Sequence, residues 1–232
     1  ENDLSQIIRE YKEVLQKNSP ENAGSNNSNE LDLQKIKTDV KSSGFQMNDS
    51  LLERFVCALL TKPFVILTGL SGSGKTKLAQ IIAKYFCEND SQYKMIPVGA
   101  DWTNREPLLG FPNALEPGKY VWPENGALSL LLEAKANPNR PYFLILDEMN
   151  LSHVERYFAD FLSAMESGEP ISIHPDTDEW KNKDNTWKDD LEPFVQLPDN
   201  LFIVGMVNVD ETTYMFSPKV LDRAQVLEFR VT

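Results

Sequence analysis

A chain of 232 residues, 41% hydrophobic and 25% charged, is long enough for one sizeable α/β core with a small appendage and is too polar for a membrane protein. Its formal charge of −12 argues against a broad nucleic-acid face or an anionic membrane partner on this part of the protein. No run approaches the roughly 18 apolar residues of a membrane span, no charged-then-apolar leader marks a signal peptide, and two cysteines without C-x-x-C or metal-ligand spacing fit the cytosol.

The opening residue is Glu1 rather than Met, which reads as a piece of a longer protein. Residues 1–17 carry Leu4, Ile7, Ile8, Tyr11, Val14 and Leu15 at helical spacing, which predicts an amphipathic helix. The stretch from Asn18 to Asn29 is rich in turn formers and reads as a flexible linker, so residues 1–47 are expected to stand apart from a core over 48–232. In that core a helix is predicted around Ser50–Leu60 and a buried strand at Phe64–Thr68.

Directly after this strand, Gly69-Leu70-Ser71-Gly72-Ser73-Gly74-Lys75-Thr76 spells G-x-x-x-x-G-K-[ST], and a helix follows to Phe86. The glycines let successive backbone N–H groups wrap a phosphate chain, Lys75 is placed to reach the β- and γ-phosphates, and Thr76 offers a hydroxyl to Mg²⁺. The following helix aims the positive end of its dipole at the anion. A bare turn is the alternative, and it does not explain why strand, loop and helix occur in this order. Gly69, Ser71, Gly72, Ser73, Gly74, Lys75, Thr76 and Lys77 are therefore the expected nucleotide-binding set.

A second strand is predicted near Lys94–Val98. The Pro-rich region Trp102–Pro123 reads mostly as loop, and Ala127–Ala136 as a helix. The continuous apolar run Tyr142–Leu146 suits a parallel strand buried on both faces. A helix over Val154–Glu166, a strand-loop-strand insertion from Pro170–His174 to Phe194–Leu197 around acidic residues, and a buried strand at Leu201–Val207 complete the pattern. Alternating strands and helices of this kind specify an α/β fold with a doubly wound parallel sheet, its ligand at the carboxyl ends of the strands.

Asp147 and Glu148 follow the buried run immediately. Asp147 is placed to hold Mg²⁺ and Glu148 to polarise a water for in-line attack on the γ-phosphorus. A solvated strand end is the ordinary reading of an isolated Asp-Glu pair, and the phosphate loop overrides it here. Asn208, just past the next buried strand, offers an amide that both donates and accepts. Arg223 follows a short helical stretch and is a candidate to reach a neighbouring subunit's nucleotide, against a local salt bridge as the alternative. Arg105 and Arg156 are weaker candidates for that role. His153 and His174 lack metal spacing and read as surface or capping residues. Trp102, Trp122, Trp180 and Trp187 read as loop residues packed on the core. Cys57 and Cys87 read as buried, reduced thiols.

The order phosphate loop, Asp-Glu strand, Asn-ended strand and downstream Arg resembles the AAA+ P-loop NTPases from about Asn48 to the end. Leu146-Asp147-Glu148-Met149-Asn150-Leu151, the segment Val195–Gly205 and Met206-Val207-Asn208-Val209-Asp210-Glu211 look like the McrB-like branch, which groups with the MoxR and dynein-related proteins. The resemblance implies Mg²⁺-dependent ATP or GTP hydrolysis in a hexameric ring. It also implies Asp147 and Glu148 as the Walker B pair, Asn208 as sensor 1 and Arg223 near the trans-acting arginine, Lys75 completing the catalytic set. A partner nuclease of the McrC kind and action on DNA, through domains not in this chain or through the complex, are implied as well. McrB proper carries Met-Asn-Thr-Ala-Asp-Arg where this chain has Val207–Thr212, and an arginine cluster where only Arg223 stands, which favours ATP over GTP. The small C-terminal helical lid implied by the resemblance falls beyond Thr232. Two other readings of the same loop are a nucleotide-dependent assembly scaffold with little turnover and a small-molecule kinase.

Overall fold

The computed structural model describes residues 37–38, 40–41, 49–209 and 214–229. The helix expected over 1–17, the linker that follows it and the segment Asp210–Thr212 lie outside the described residues. In chain order the elements are α1 (Asp49–Thr61), β1 (Phe64–Gly69), α2 (Lys75–Phe86), β2 (Tyr93–Pro97), α3 (Glu106–Leu109), β3 (Phe111–Pro112), β4 (Tyr120–Val121), α4 (Ala127–Ala136) and β5 (Tyr142–Asp147). They continue with α5 (Val154–Tyr157), α6 (Ala159–Ser167), β6 (Ile171–Ser172), β7 (Phe194–Val195), β8 (Leu201–Asn208), α7 (Pro218–Leu221) and β9 (Gln225–Phe229).

Five of these strands make one sheet in the order β2-β5-β8-β1-β9, with every pairing parallel. Side chains alternate across a strand, so each apolar run feeds two cores. Phe64 and Ile66 of β1 enter one core with Leu144, Leu146 and Ile203, under α4, α5 and α6. Val65 and Leu67 enter the other with Phe143, Ile145, Val204 and Met206, under α1 and α2. Helices on both faces explain why the central strands are apolar without alternation. The expected doubly wound α/β sheet is what the chain forms.

Gly205 in the middle of β8 has a packing reason. A Cβ there would lie 2.3 Å from Sδ of Met149, a fully buried side chain that fills the space over the sheet.

Several expectations change. The Trp102–Pro123 region holds α3, started by Pro107 in its first turn, and the β3–β4 hairpin. The helix expected over Val154–Glu166 is divided into α5 and α6 at Phe158 (φ −109°, ψ 9°), whose ring is stacked in the core on Phe161 at 4.7 Å. β9 was not expected at all. His174 is buried rather than at the surface: its two ring nitrogens lie 2.9 and 2.8 Å from the carbonyl oxygens of Pro175 and Leu191, and it stacks on Trp180 at 4.1 Å.

The β6–β7 pair is antiparallel, as a strand-loop-strand insertion requires. The loop it carries touches the β3–β4 hairpin through Trp180 and Tyr120, whose ring centroids are 6.2 Å apart. Trp102, Trp122 and Trp187 pack against the core at its margin.

Both cysteines are free thiols, and they are half-buried rather than buried. Burial, reinforced by the Asp90 carboxylate, pushes the Cys87 thiol up to about 12. Only the thiolate attacks an alkylating reagent, so this rise depletes the reactive form of Cys87. Cys87 is expected to alkylate at least a hundredfold more slowly in the folded protein than in urea at pH 8, followed by mass spectrometry of the Cys87 peptide.

Candidate functional site

Gly69 closes β1 at a point where only a glycine fits. Its φ is +156°, and a Cβ would come within 2.6 Å of the Phe229 carbonyl oxygen on the neighbouring strand β9. The loop then turns tightly, with the Ser73 amide donating to the Leu70 carbonyl at 3.3 Å. Gly74, at φ 94°, is the N-cap of α2, and no side chain caps it. The first-turn amides of a helix have no partner within that helix, so an N-terminus set in a glycine loop presents N–H donors to an anion. The cradle therefore fits a phosphate chain.

Lys75 is the first residue of α2 and only 5% exposed. Its ammonium donates to the carbonyls of Gly69 at 2.9 Å and Leu70 at 2.7 Å and to Ser73 Oγ at 3.3 Å. These bonds fold the lysine over the loop it belongs to, the position from which it can follow a phosphate. Thr76 is half-buried behind it, and Lys77 faces solvent.

Strand order carries Asn208 and the two carboxylates to the same edge. β8 lies between β5 and β1, and Asn208 stands opposite Gly69 in the register. The Val209 amide donates to the Gly69 carbonyl at 3.2 Å, so the ladder continues past the strand end and ties β8 to β1 beside the loop. Leu146 pairs with Gly205, which sets Asp147 two residues below the level of Asn208. Adjacent strands are roughly 4.8 Å apart, so the ends of β5 and β1 are about 10 Å apart with Asn208 between them.

Glu148 has φ 52° and ψ 44°, the left-handed region that a side chain of this size rarely occupies. Such a conformation costs about 1 kcal/mol and persists only where the surroundings hold it. They do so here from several sides. The Glu148 amide donates to Asp147 Oδ1 at 3.1 Å, and its carbonyl accepts from Leu151 at 2.8 Å. Met149 is fully buried over Gly205, and its carbonyl accepts from the Tyr157 hydroxyl at 2.8 Å. Burial, with Glu155 nearby, pushes the Tyr157 phenol far above its ordinary range, so it stays a neutral donor. The Asn150 carbonyl accepts from the Tyr214 amide at 3.0 Å. Sequence reasoning missed this support for Glu148. The one hint was Gly205, a lone glycine in an apolar strand, which signals a close approach.

The expected nucleotide-binding loop, Asp147, Glu148 and Asn208 thus meet at the carboxyl ends of three neighbouring strands. Arg223 does not join them. It precedes β9 at the opposite edge of the sheet, six residues of chain before Phe229, which pairs with Gly69, a separation on the order of 20 Å. Its guanidinium bonds within the subunit: Nε donates to the Leu162 carbonyl at 3.0 Å, Nη1 to the Lys219 carbonyl, and Nη2 pairs with the Glu166 carboxylate. The local salt bridge weighed for this arginine exists, with Glu166 as the partner in place of Asp222 or Glu228.

Arg105 is likewise occupied, pairing with Asp160 at 3.4 Å and donating to the Ser172 and Ile173 carbonyls. Arg156 is exposed on α5. His153 sits at the N-cap of α5 and lies 3.7 Å from the ring of Tyr214.

The geometry agrees with the comparisons to known proteins. The family described as AAA domain (dynein-related subfamily) matches residues 64–224, from the first residue of β1 to the residue after Arg223. A curated protein of Escherichia coli (strain K12), the Type IV methyl-directed restriction enzyme EcoKMcrB subunit, is 22% identical over 163 residues, which are 69% of this chain and 33% of that protein. The chain thus spans about a third of the length of that relative. With more than half of its residues matched, including the carboxyl ends of β1, β5 and β8, the chain belongs to the dynein-related subfamily of AAA domains.

Proposed function

We propose that this chain binds a nucleoside triphosphate, ATP in preference to GTP, in the loop Gly69–Thr76 and hydrolyses its terminal phosphoanhydride bond as one subunit of a ring-forming motor. The observation that carries the reading is the meeting of the Lys75 loop, Asn208 and the Asp147-Glu148 pair on one edge of the sheet.

Each residue has a separate task. The first-turn amides of α2 and the ammonium of Lys75 bind the phosphate oxygens and hold the chain in line. Thr76 and Asp147 would hold Mg²⁺, which supplies charge neutralisation across the terminal phosphates when bound. Glu148 accepts a proton from the attacking water, and its fixed backbone keeps the carboxylate from wandering. Asn208, beside the loop, is placed to orient that water or the γ-phosphate with an uncharged donor and acceptor. Arg223, too far from its own loop, would serve a neighbour's nucleotide from the opposite edge.

The likeness to a restriction-enzyme subunit supports work in a DNA-restriction system with a McrC-like nuclease as partner, in a hexameric ring. The net charge of −12 favours DNA contact through other domains or through the assembled complex. Residues 48–232 would form the motor core of this subunit.

Calorimetric titration with non-hydrolysable ATP and GTP analogues in Mg²⁺ tests the reading. The ATP analogue is expected to bind at least tenfold more tightly. Selective GTP binding would overturn the base preference, and binding of neither would overturn the site.

A further inference from the structure

The contacts of Arg223 carry more than its exclusion from its own subunit's site. Two of its three guanidinium nitrogens meet backbone carbonyls, Leu162 in α6 and Lys219 in α7. The Lys219 carbonyl lies in the last turn of a helix, where acceptors lack intrahelical donors and basic side chains fill in. These two bonds anchor the side chain against its own helices. The third nitrogen meets Glu166, and this contact differs in kind: the Arg223 side chain is 13% exposed, whereas the Glu166 side chain is 68% exposed. The carboxylate is in water, and an ion pair so placed is held weakly. Arg223 also lines a recess of about 420 Å³ bounded by Lys62, Met165, Gly168, Leu197 and Asp222, which leaves open space beside the side chain.

We propose that Glu166 is a positioning residue for Arg223: it parks the guanidinium on its own subunit and gives it up when a neighbour's triphosphate arrives at this edge. The inference rests on the reading that Arg223 serves that neighbour. The parked and delivered arrangements compete for one guanidinium. A subunit whose arginine is parked is only fractionally ready to assemble, and the apparent assembly affinity falls by that fraction. Once subunits are joined around nucleotide the glutamate has already let go, so it weighs on assembly and leaves the chemical step alone.

The test uses the full-length protein with Mg²⁺ and compares Glu166→Ala and Glu166→Gln with wild type. Assembly with a non-hydrolysable ATP analogue is followed by sedimentation, and ATP turnover is measured against protein concentration. Both variants are expected to lower the assembly midpoint about threefold, within what an exposed ion pair supports, and to leave turnover per assembled subunit unchanged. The same substitution made with Arg223→Gln is expected to shift nothing, an outcome that a general surface-charge effect would not give. Arg223→Gln is used because the amide can still meet one of the backbone carbonyls.

An unshifted midpoint overturns the parking role. So does a shift that persists beside Arg223→Gln, or a lowered plateau, which would mean that Glu166 holds the arginine in its working pose. Full turnover of assembled Arg223→Gln protein would instead remove the underlying reading of Arg223, whatever Glu166 does.

Discussion

Glu148→Gln is expected to lower turnover by about 10²–10⁴-fold while nucleotide affinity stays within a few-fold of wild type. Gln keeps the length and hydrogen-bonding shape of Glu but cannot accept the water's proton, and a positioned general base supplies about that factor. The backbone should tolerate the change, because the left-handed turn is held by the Leu151 amide, by buried Met149 and by the Tyr157 hydroxyl rather than by the carboxylate itself. Phosphate release and calorimetric titration on the same preparation separate the two effects. Unchanged turnover would remove Glu148 from the reaction. Lost binding would place it in the nucleotide pocket. A variant that turns over nothing yet keeps its full biological effect would support the scaffold reading over the motor.

Lys75→Ala is expected to weaken ATP binding by about a hundredfold or more and to abolish turnover at ordinary nucleotide concentrations. A charge-assisted hydrogen bond contributes roughly 1.5–3 kcal/mol, and the ammonium makes more than one with a bound phosphate chain. The same change has a structural cost, because the carbonyls of Gly69 and Leu70 lose a donor in a place where Lys75 is 5% exposed. A loss of about 1–2 kcal/mol of stability should accompany it, seen as a lower melting temperature without nucleotide. ATP should then raise the melting temperature of wild type and not that of the variant. Equal stabilisation of both would show that the nucleotide binds elsewhere.

Much of this fold was legible before any coordinates, because its signals are local. Phe64–Leu67 and Tyr142–Leu146 are apolar runs that end in a glycine loop and in a carboxylate pair, and residue pattern alone marks both as buried strands with chemistry at their carboxyl ends. The helix Ala127–Ala136 matched to the residue. What failed to show was non-local. β9 is an edge strand in which Gln225 and Glu228 leave no continuous apolar run, and only its pairing with β1 makes it a strand. The division at Phe158 reflects core packing and leaves the helical periodicity undisturbed. His174 looked like a surface residue because nothing adjacent in sequence announces Trp180 or the Leu191 carbonyl as its partners.

The candidate site divides in the same way. Residue types and spacing named the loop, Asp147, Glu148 and Asn208, while the left-handed backbone of Glu148 depends on Tyr157 and on the space above Gly205, relations that no motif encodes. Glu166 pairs with Arg223 from another helix, and no short-range pattern joins them.

The placement of the phosphate loop and Arg223 at opposite strand ends of one parallel sheet also ties activity to assembly. Copies packed head to tail set the loop of one against the arginine of the next and leave one loop and one arginine unused at the two ends. If Arg223 serves a neighbour, a closed ring has as many complete sites as subunits, whereas an open arc always has one fewer. A pair of subunits would then run at half the activity per subunit of any closed assembly, so specific activity would count the ends.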